Sequence, residues 1–170
     1  MKTTTLRATA LTLATAALAL AAPRTARAQG LGLDIGSKAP NPAVYTLDGQ
    51  KTDLSAFVGK TPTLIEFWAT WCPNCRELRP TMDAMAARYG KQVQFVGIAV
   101  SVNENPARVK AFAAKYHLPG TQFFDTDGDA SGAFDAPATS YVVILDKTGK
   151  VVYTGLGGKQ DLETAIRKVL

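Results

Sequence analysis

Two runs of almost unbroken apolar residues, TPTLIEFWAT (61–70) and VQFVGIAV (93–100), set the narrowest limit on what this chain can fold into. Neither alternates apolar with polar, so each reads as a strand buried on both faces. Between them the period changes. Leu78, Met82, Met85 and Tyr89 fall at helical spacing, one face of a helix that starts at Pro73 and ends at Gly90.

The same alternation continues. NPARVKAFAAKYH (105–117) reads as a second helix, with Asn105 as N-cap, Pro106 in the first helical position, and Val109, Phe112, Ala113 and Tyr116 on one face. TQFFDTD is a short strand. SYVVILDKTGKVVYTG makes two strands around Lys147-Thr148-Gly149, and QDLETAIRKVL closes as a helix with Leu162, Ile166, Val169 and Leu170 inward. Upstream, AVYTLDGQKTDL reads as a hairpin turning at Asp48-Gly49. Strands alternating with helices predict an α/β domain, a mixed central sheet between helices.

The first 30 residues have a different character. Lys2 and Arg7 precede an uncharged, Ala- and Thr-rich run from Ala8 to Pro23, followed by Ala26-Arg27-Ala28. This is the pattern of a cleavable signal peptide, residues 1–28, with cleavage after Ala28. The run is short for a membrane span, so no stable membrane insertion is expected after cleavage. Residues 29–38 read as an N-terminal arm and 39–170 as one domain. Removal of Lys2, Arg7, Arg24 and Arg27 takes the formal charge from +5 to about +1. No basic cluster remains to suggest a nucleic-acid partner.

The chain holds two cysteines, both in FWATWCPNCREL (67–78). A staple across four residues adds little stability, because stabilisation grows with the loop enclosed. A structural zinc site needs four ligands, and beyond Cys72 and Cys75 there is only His117. No metal and no cofactor is therefore expected, and redox chemistry is left. With Pro73 opening the helix, Cys72 is at the N-cap and Cys75 lies in the first turn. The helix dipole and free N–H groups then favour a Cys72 thiolate, the attacking form. Cys75, recessed behind it, resolves the mixed disulfide. Glu66 interrupts the apolar strand TLIEFW. Buried, it would have a raised pKa and could take the proton of Cys75; the alternative is a solvent-facing Glu at a strand edge.

FWATWCPNC together with Pro80, within YTLDGQKTDLSAFVGKTPTLIEFWATWCPNCRELRPTM, resembles the thioredoxin-fold TlpA/ResA/CcmG-type thiol-disulfide oxidoreductases from about Ala39 to the C-terminus. The resemblance implies a thioredoxin fold with an N-terminal β-hairpin and a central helix–strand insert over ENPARVKAFAAKYHLPGTQFFDTD. It implies that Trp71 shields the sulfurs, and that Glu66 stands at a buried acidic position of thioredoxins. It implies periplasmic or otherwise exported work on protein disulfide or dithiol substrates, such as apocytochrome c or metal-site assembly partners. A membrane thiol donor would supply electrons, and the protein would act as a monomer. Trp71, Pro73, Thr139 and Ser140 are the substrate-binding candidates.

One departure concerns the family's cis-proline beside the disulfide. A gapless count back from Gly149 puts Ser140 there, expected after a trans peptide; Pro137 would serve only if the strand carried extra residues. Two other functions fit the same residues: a disulfide-forming oxidant on this fold, and a copper-handling protein using both thiolates. A peroxidase is disfavoured, because no lone peroxidatic cysteine is present. DTDGD (125–129) lacks EF-hand spacing and reads as a turn. His117 ends its helix, and Arg76 and Arg79 read as a solvated helix face.

Overall fold

The computed structural model describes residues 32–170; the expected signal peptide lies outside the described residues. Seven strands form one mixed sheet: β1 (Ala43–Thr46), β2 (Lys51–Asp53), β3 (Thr63–Trp68), β4 (Gln94–Val100), β5 (Thr121–Asp125), β6 (Tyr141–Leu145) and β7 (Val151–Leu156). Their order is β2-β1-β5-β4-β3-β6-β7. The centre, β3 with β4 and β4 with β5, is parallel; β6, β7 and the β1–β2 hairpin join antiparallel. The two apolar runs are the two innermost strands, which explains why neither alternates.

Four helices are described: α1 (Pro73–Tyr89), α2 (Pro106–Tyr116), α3 (Asp129–Ala133) and α4 (Leu162–Arg167). Side-chain parity along β3 separates the two faces of the sheet. Ile65 and Phe67 join Val96, Ile98, Phe134 and Tyr141 in one core. Leu64 joins Leu78, Met82, Met85, Val142 and Ile166 in another, under α1 and α4. Trp68, also an even-numbered residue, belongs to a third cluster with Ala99, Val109 and Phe124, beneath α2. Glu66 lies on β3 between Leu64 and Trp68. It therefore faces the seam where the α1/α4 core and the α2 core part.

The insert adds β5 to the sheet between β1 and β4, and α2 begins as expected, with the Asn105 side chain accepting the Arg108 N–H. Three expectations are corrected. Tyr116 is 40% exposed, not inward. The last helix stops at Arg167, so Val169 is only partly buried and Leu170 is exposed. A short helix, α3, follows the DTDGD turn. Its N-cap Gly128 offers no side-chain cap; instead buried Asp125 accepts the Ala130 and Ser131 N–H groups. The described part of the arm lies along the domain. Gly36 N–H donates to Val151 O, Val151 N–H to Ser37 O, and Leu33 N–H to the Tyr141 hydroxyl.

Candidate active site

Cys72 and Cys75 sit where β3 hands over to α1, at the carboxyl end of a parallel strand, the usual place for chemistry in an open α/β sheet. Cys72 is the N-cap of α1 with extended backbone (φ −74°, ψ 116°), and Pro73 takes the first helical position, where a missing N–H costs nothing. The Cys75 N–H donates to the Cys72 sulfur at 3.0 Å. An unpaired helix N–H thus points at sulfur, an arrangement that stabilises a thiolate there. The two residues form a disulfide, with Cα atoms 5.3 Å apart. Among the described residues no group of three His, Cys, Asp or Glu side chains comes together.

The order of burial differs from expectation. Cys72 is 2% exposed, while Cys75, packed against the Trp68 cluster, is partly exposed. Cys72 is enclosed by its own turn, in which its N–H bonds Ala69 O and its carbonyl takes the Arg76 N–H. In the disulfide form, then, exposure does not single out the attacking sulfur; the helix N-terminus does.

Both cysteines line an open cleft that reaches back to Glu66. Its origin is visible in the strand register. Glu66, Gly97 and Gln122 are neighbours in a row across β3, β4 and β5. Gly97 carries no side chain in the middle of that row, and the Gln122 carboxamide lies over it: a Cβ there would stand 2.0 Å from Gln122 Oε1. Glu66 is partly accessible because it lines the cleft, yet the surrounding protein keeps bulk water from its carboxyl. Burial, assisted by the charge of Asp83, raises its pKa from 4.5 to about 8. Glu66 stands on an inner strand of the sheet, not at the strand edge that the alternative required.

Three further polar groups belong to this cleft, of which the sequence points only to Arg79, as part of a solvated face. Trp68 Nε1, Gln122 Oε1 and Arg79 Nη1 are buried without a protein partner. Arg79 is not on a solvated face: its guanidinium stands 4.4 Å from the Tyr116 ring centroid and lines the cleft. Its position four residues after Cys75, on the same helix face, is the signal that could have found it.

Trp71 and Pro73 are exposed beside Cys72, and the Trp71 indole N–H donates to Val102 O at 2.9 Å. Thr139 is partly buried. Ser140 is fully buried and sits in the left-handed region (φ 65°), with no cis peptide among the described residues, before Ser140 or before Pro137. Its N–H donates to Phe67 O, its hydroxyl to Gly157 O, and its carbonyl accepts from Gln160 and the Gly157 N–H. Those bonds hold a conformation that is costly for a residue with a Cβ. Every polar group of Ser140 is thereby engaged within the fold.

Residues 34–170 match the Redoxin family. The chain is 31% identical over 139 residues to the thiol-disulfide oxidoreductase ResA of Bacillus thuringiensis subsp. konkukian, covering 81% of this chain and 79% of that protein. It is 29% identical to the thioredoxin-like protein YneN of Bacillus subtilis over 136 residues, covering 78% and 79%. A putative thiol:disulfide interchange protein DsbE from Chlorobium tepidum shares the fold with a TM-score of 0.69 at 28% identity, covering 81% of this chain and 98% of that one. With a CxxC pair at the N-terminus of its first helix and this fold around it, the chain belongs to the Redoxin family as a thioredoxin-fold thiol-disulfide oxidoreductase of the TlpA/ResA/CcmG type.

Proposed function

We propose that this oxidoreductase is an exported reductant of protein disulfides. The observation that carries the reading is that Cys75 and Glu66 line one cleft, with the Glu66 carboxyl at its desolvated inner end. Charge is disfavoured there, so a Cys75 thiolate is the costly species and the disulfide the favoured one. A pair that prefers the disulfide gives its electrons away.

In the forward direction the Cys72 thiolate attacks one sulfur of a substrate disulfide. That bond breaks, one substrate thiolate leaves, and a mixed disulfide joins Cys72 to the other sulfur. Cys75 loses its proton to the Glu66 carboxylate and attacks Cys72, releasing the second substrate thiol and closing Cys72–Cys75. The reverse half of the cycle uses the same group. In the disulfide form at neutral pH, Glu66 is largely protonated, ready to hand a proton to Cys75 as a donor thiol opens the bond. Trp71, Pro73 and Thr139 form the substrate rim, with Ser140 fixing its backbone.

The kinship with thiol-disulfide oxidoreductases supports protein thiols as the substrate class; within it the reading takes cysteine pairs of apocytochrome c or of metal-site assembly partners as substrates, with electrons from a membrane thiol carrier. The protein works in the periplasm or an equivalent exported compartment as a monomer, after cleavage behind Ala28. No helix among the described residues is long and apolar enough to cross a membrane. A redox titration of Cys72/Cys75 against glutathione tests the direction. A reductant is expected near thioredoxin's potential of about −270 mV, whereas a value near about −120 mV would mark an oxidant and overturn the reading.

A further inference from the structure

The loop between β4 and α2 grips the active-site turn at two consecutive residues. Glu104 Oε1 accepts the Thr70 N–H at 2.6 Å, and Val102 O accepts the Trp71 indole N–H at 2.9 Å. The next residue is Cys72. The loop is itself braced: Glu104 N–H donates to Ser101 O, Asn103 adopts φ 54°, and the Asn103 carbonyl accepts from Arg108 on α2.

The Glu104 side chain is wholly buried. Its second oxygen makes no hydrogen bond, and its one opposite charge is Arg108, 3.6 Å away and itself largely exposed. A buried carboxylate with an unsatisfied oxygen is a poor source of stability, and an apolar side chain of similar size usually serves at least as well. What an apolar side chain cannot do is fix the Thr70 N–H. The group therefore has value for placement rather than for stability.

We propose that Glu104 is a positioning residue for the thiol-disulfide reaction: through the Thr70 amide it holds the turn that sets Cys72 over the first turn of α1, opposite Cys75. The consequence is chemical. The ease with which two thiols close to a disulfide measures their effective concentration toward each other, and fixing one of them in place raises it. Releasing Thr70 lowers that concentration and shifts the pair toward the dithiol. This rests on Cys72/Cys75 being redox-active, but not on the direction of transfer.

The test equilibrates the full-length protein with glutathione, in which protein disulfide plus two glutathione thiols gives protein dithiol plus glutathione disulfide. Glu104→Leu fills the same space without an acceptor. It is expected to keep or raise the urea midpoint while moving the exchange constant about tenfold toward the dithiol, about 30 mV for this two-electron couple. Glu104→Gln keeps an acceptor oxygen, loses the charge, and is expected to stay within about threefold of wild type. Should Glu104→Leu not fold, Glu104→Asp, one methylene shorter, breaks the same bond and is expected to shift the constant in the same direction. An unchanged constant in whichever of these two folds overturns the proposal. So does a Glu104→Gln shift as large as theirs, because charge and not placement would then be responsible. A wild-type pair that never equilibrates with glutathione would instead refute the redox reading itself.

Discussion

The pair of sulfurs and the carboxyl behind them divide the chemistry between two environments. Cys72 has a helix N–H on its sulfur and Cys75 shares a cleft with Glu66, so the first thiol is the easier to ionise and the second needs a proton acceptor. On alkylation of the reduced protein near neutral pH, mass spectrometry is expected to find Cys72 labelled first. Cys75→Ser is expected to accumulate mixed disulfides, and Cys72→Ser to form none. Faster labelling of Cys75 would reverse the roles.

Glu66 makes a separate, signed prediction. Its folded pKa is raised from 4.5 to about 8, so folding favours the protonated acid. The stability this contributes is fully present below about pH 4.5 and is lost as pH rises through 8, a span worth several kcal/mol. Urea unfolding of the oxidised protein is expected to show that decline, and Glu66→Gln to flatten it. Reduction of the disulfide, corrected for the thiolate fraction of the reductant, is expected to slow above pH 8 in wild type only. Parallel profiles for the two proteins would reduce Glu66 to a structural residue.

At the scale of elements, the site is a seam between two packed units on one sheet face, and Gly97 puts no side chain into that seam. The insert contributes one wall, so its docking matters to the chemistry. Val109, fully buried against Trp68, Ala99 and Phe124, is the pin. Val109→Ala is expected to cost about 2 kcal/mol in urea unfolding, the loss of two methyl groups plus the gap they leave. A cost below about 0.5 kcal/mol would mean the surrounding side chains collapse into that gap.

These contacts also mark where sequence reasoning reaches its limit. β3, β4 and α1 were legible because burial on both faces and helical spacing are written into consecutive residues, and Cys72 and Cys75 because two residues and a proline set their geometry. Glu66 was legible as an acid where none belongs. Glu104 and Gln122 were not, since a lone polar residue in a loop or on a short strand reads as surface until the element it touches is known; Thr70 lies 34 positions away from Glu104. α3 was missed for a related reason. DASGA has no apolar period, and its start is set by Asp125 from the preceding strand. Ser140 stands directly before β6, but nothing local to Thr139-Ser140-Tyr141 announces that Gln160 and Gly157 consume its hydrogen bonds.

Across the whole molecule, the sheet ends at β2 on one side and β7 on the other. β2 is three residues long with Lys51 and Asp53 on it, a short charged edge that discourages pairing with another chain. β7 is shielded at its start by the arm, through Gly36, Ser37 and Val151. The bond from Leu33 N–H to the Tyr141 hydroxyl spans 108 positions, and that from Lys38 to Thr148 O spans 110. Such contacts form only after the β6–β7 hairpin exists, because closing so long a loop early costs chain entropy with nothing gained. The arm is therefore a latch set late, outside the folding nucleus. Leu33→Ala is expected to leave the refolding limb of a denaturant chevron in place and raise the unfolding limb, the pattern of a contact absent from the transition state. A slowed refolding limb would put the arm in the nucleus. On the exported reading proposed above, a chain crossing a membrane N-terminus first presents β7 unshielded at its start until the hairpin has formed and the arm has closed over it.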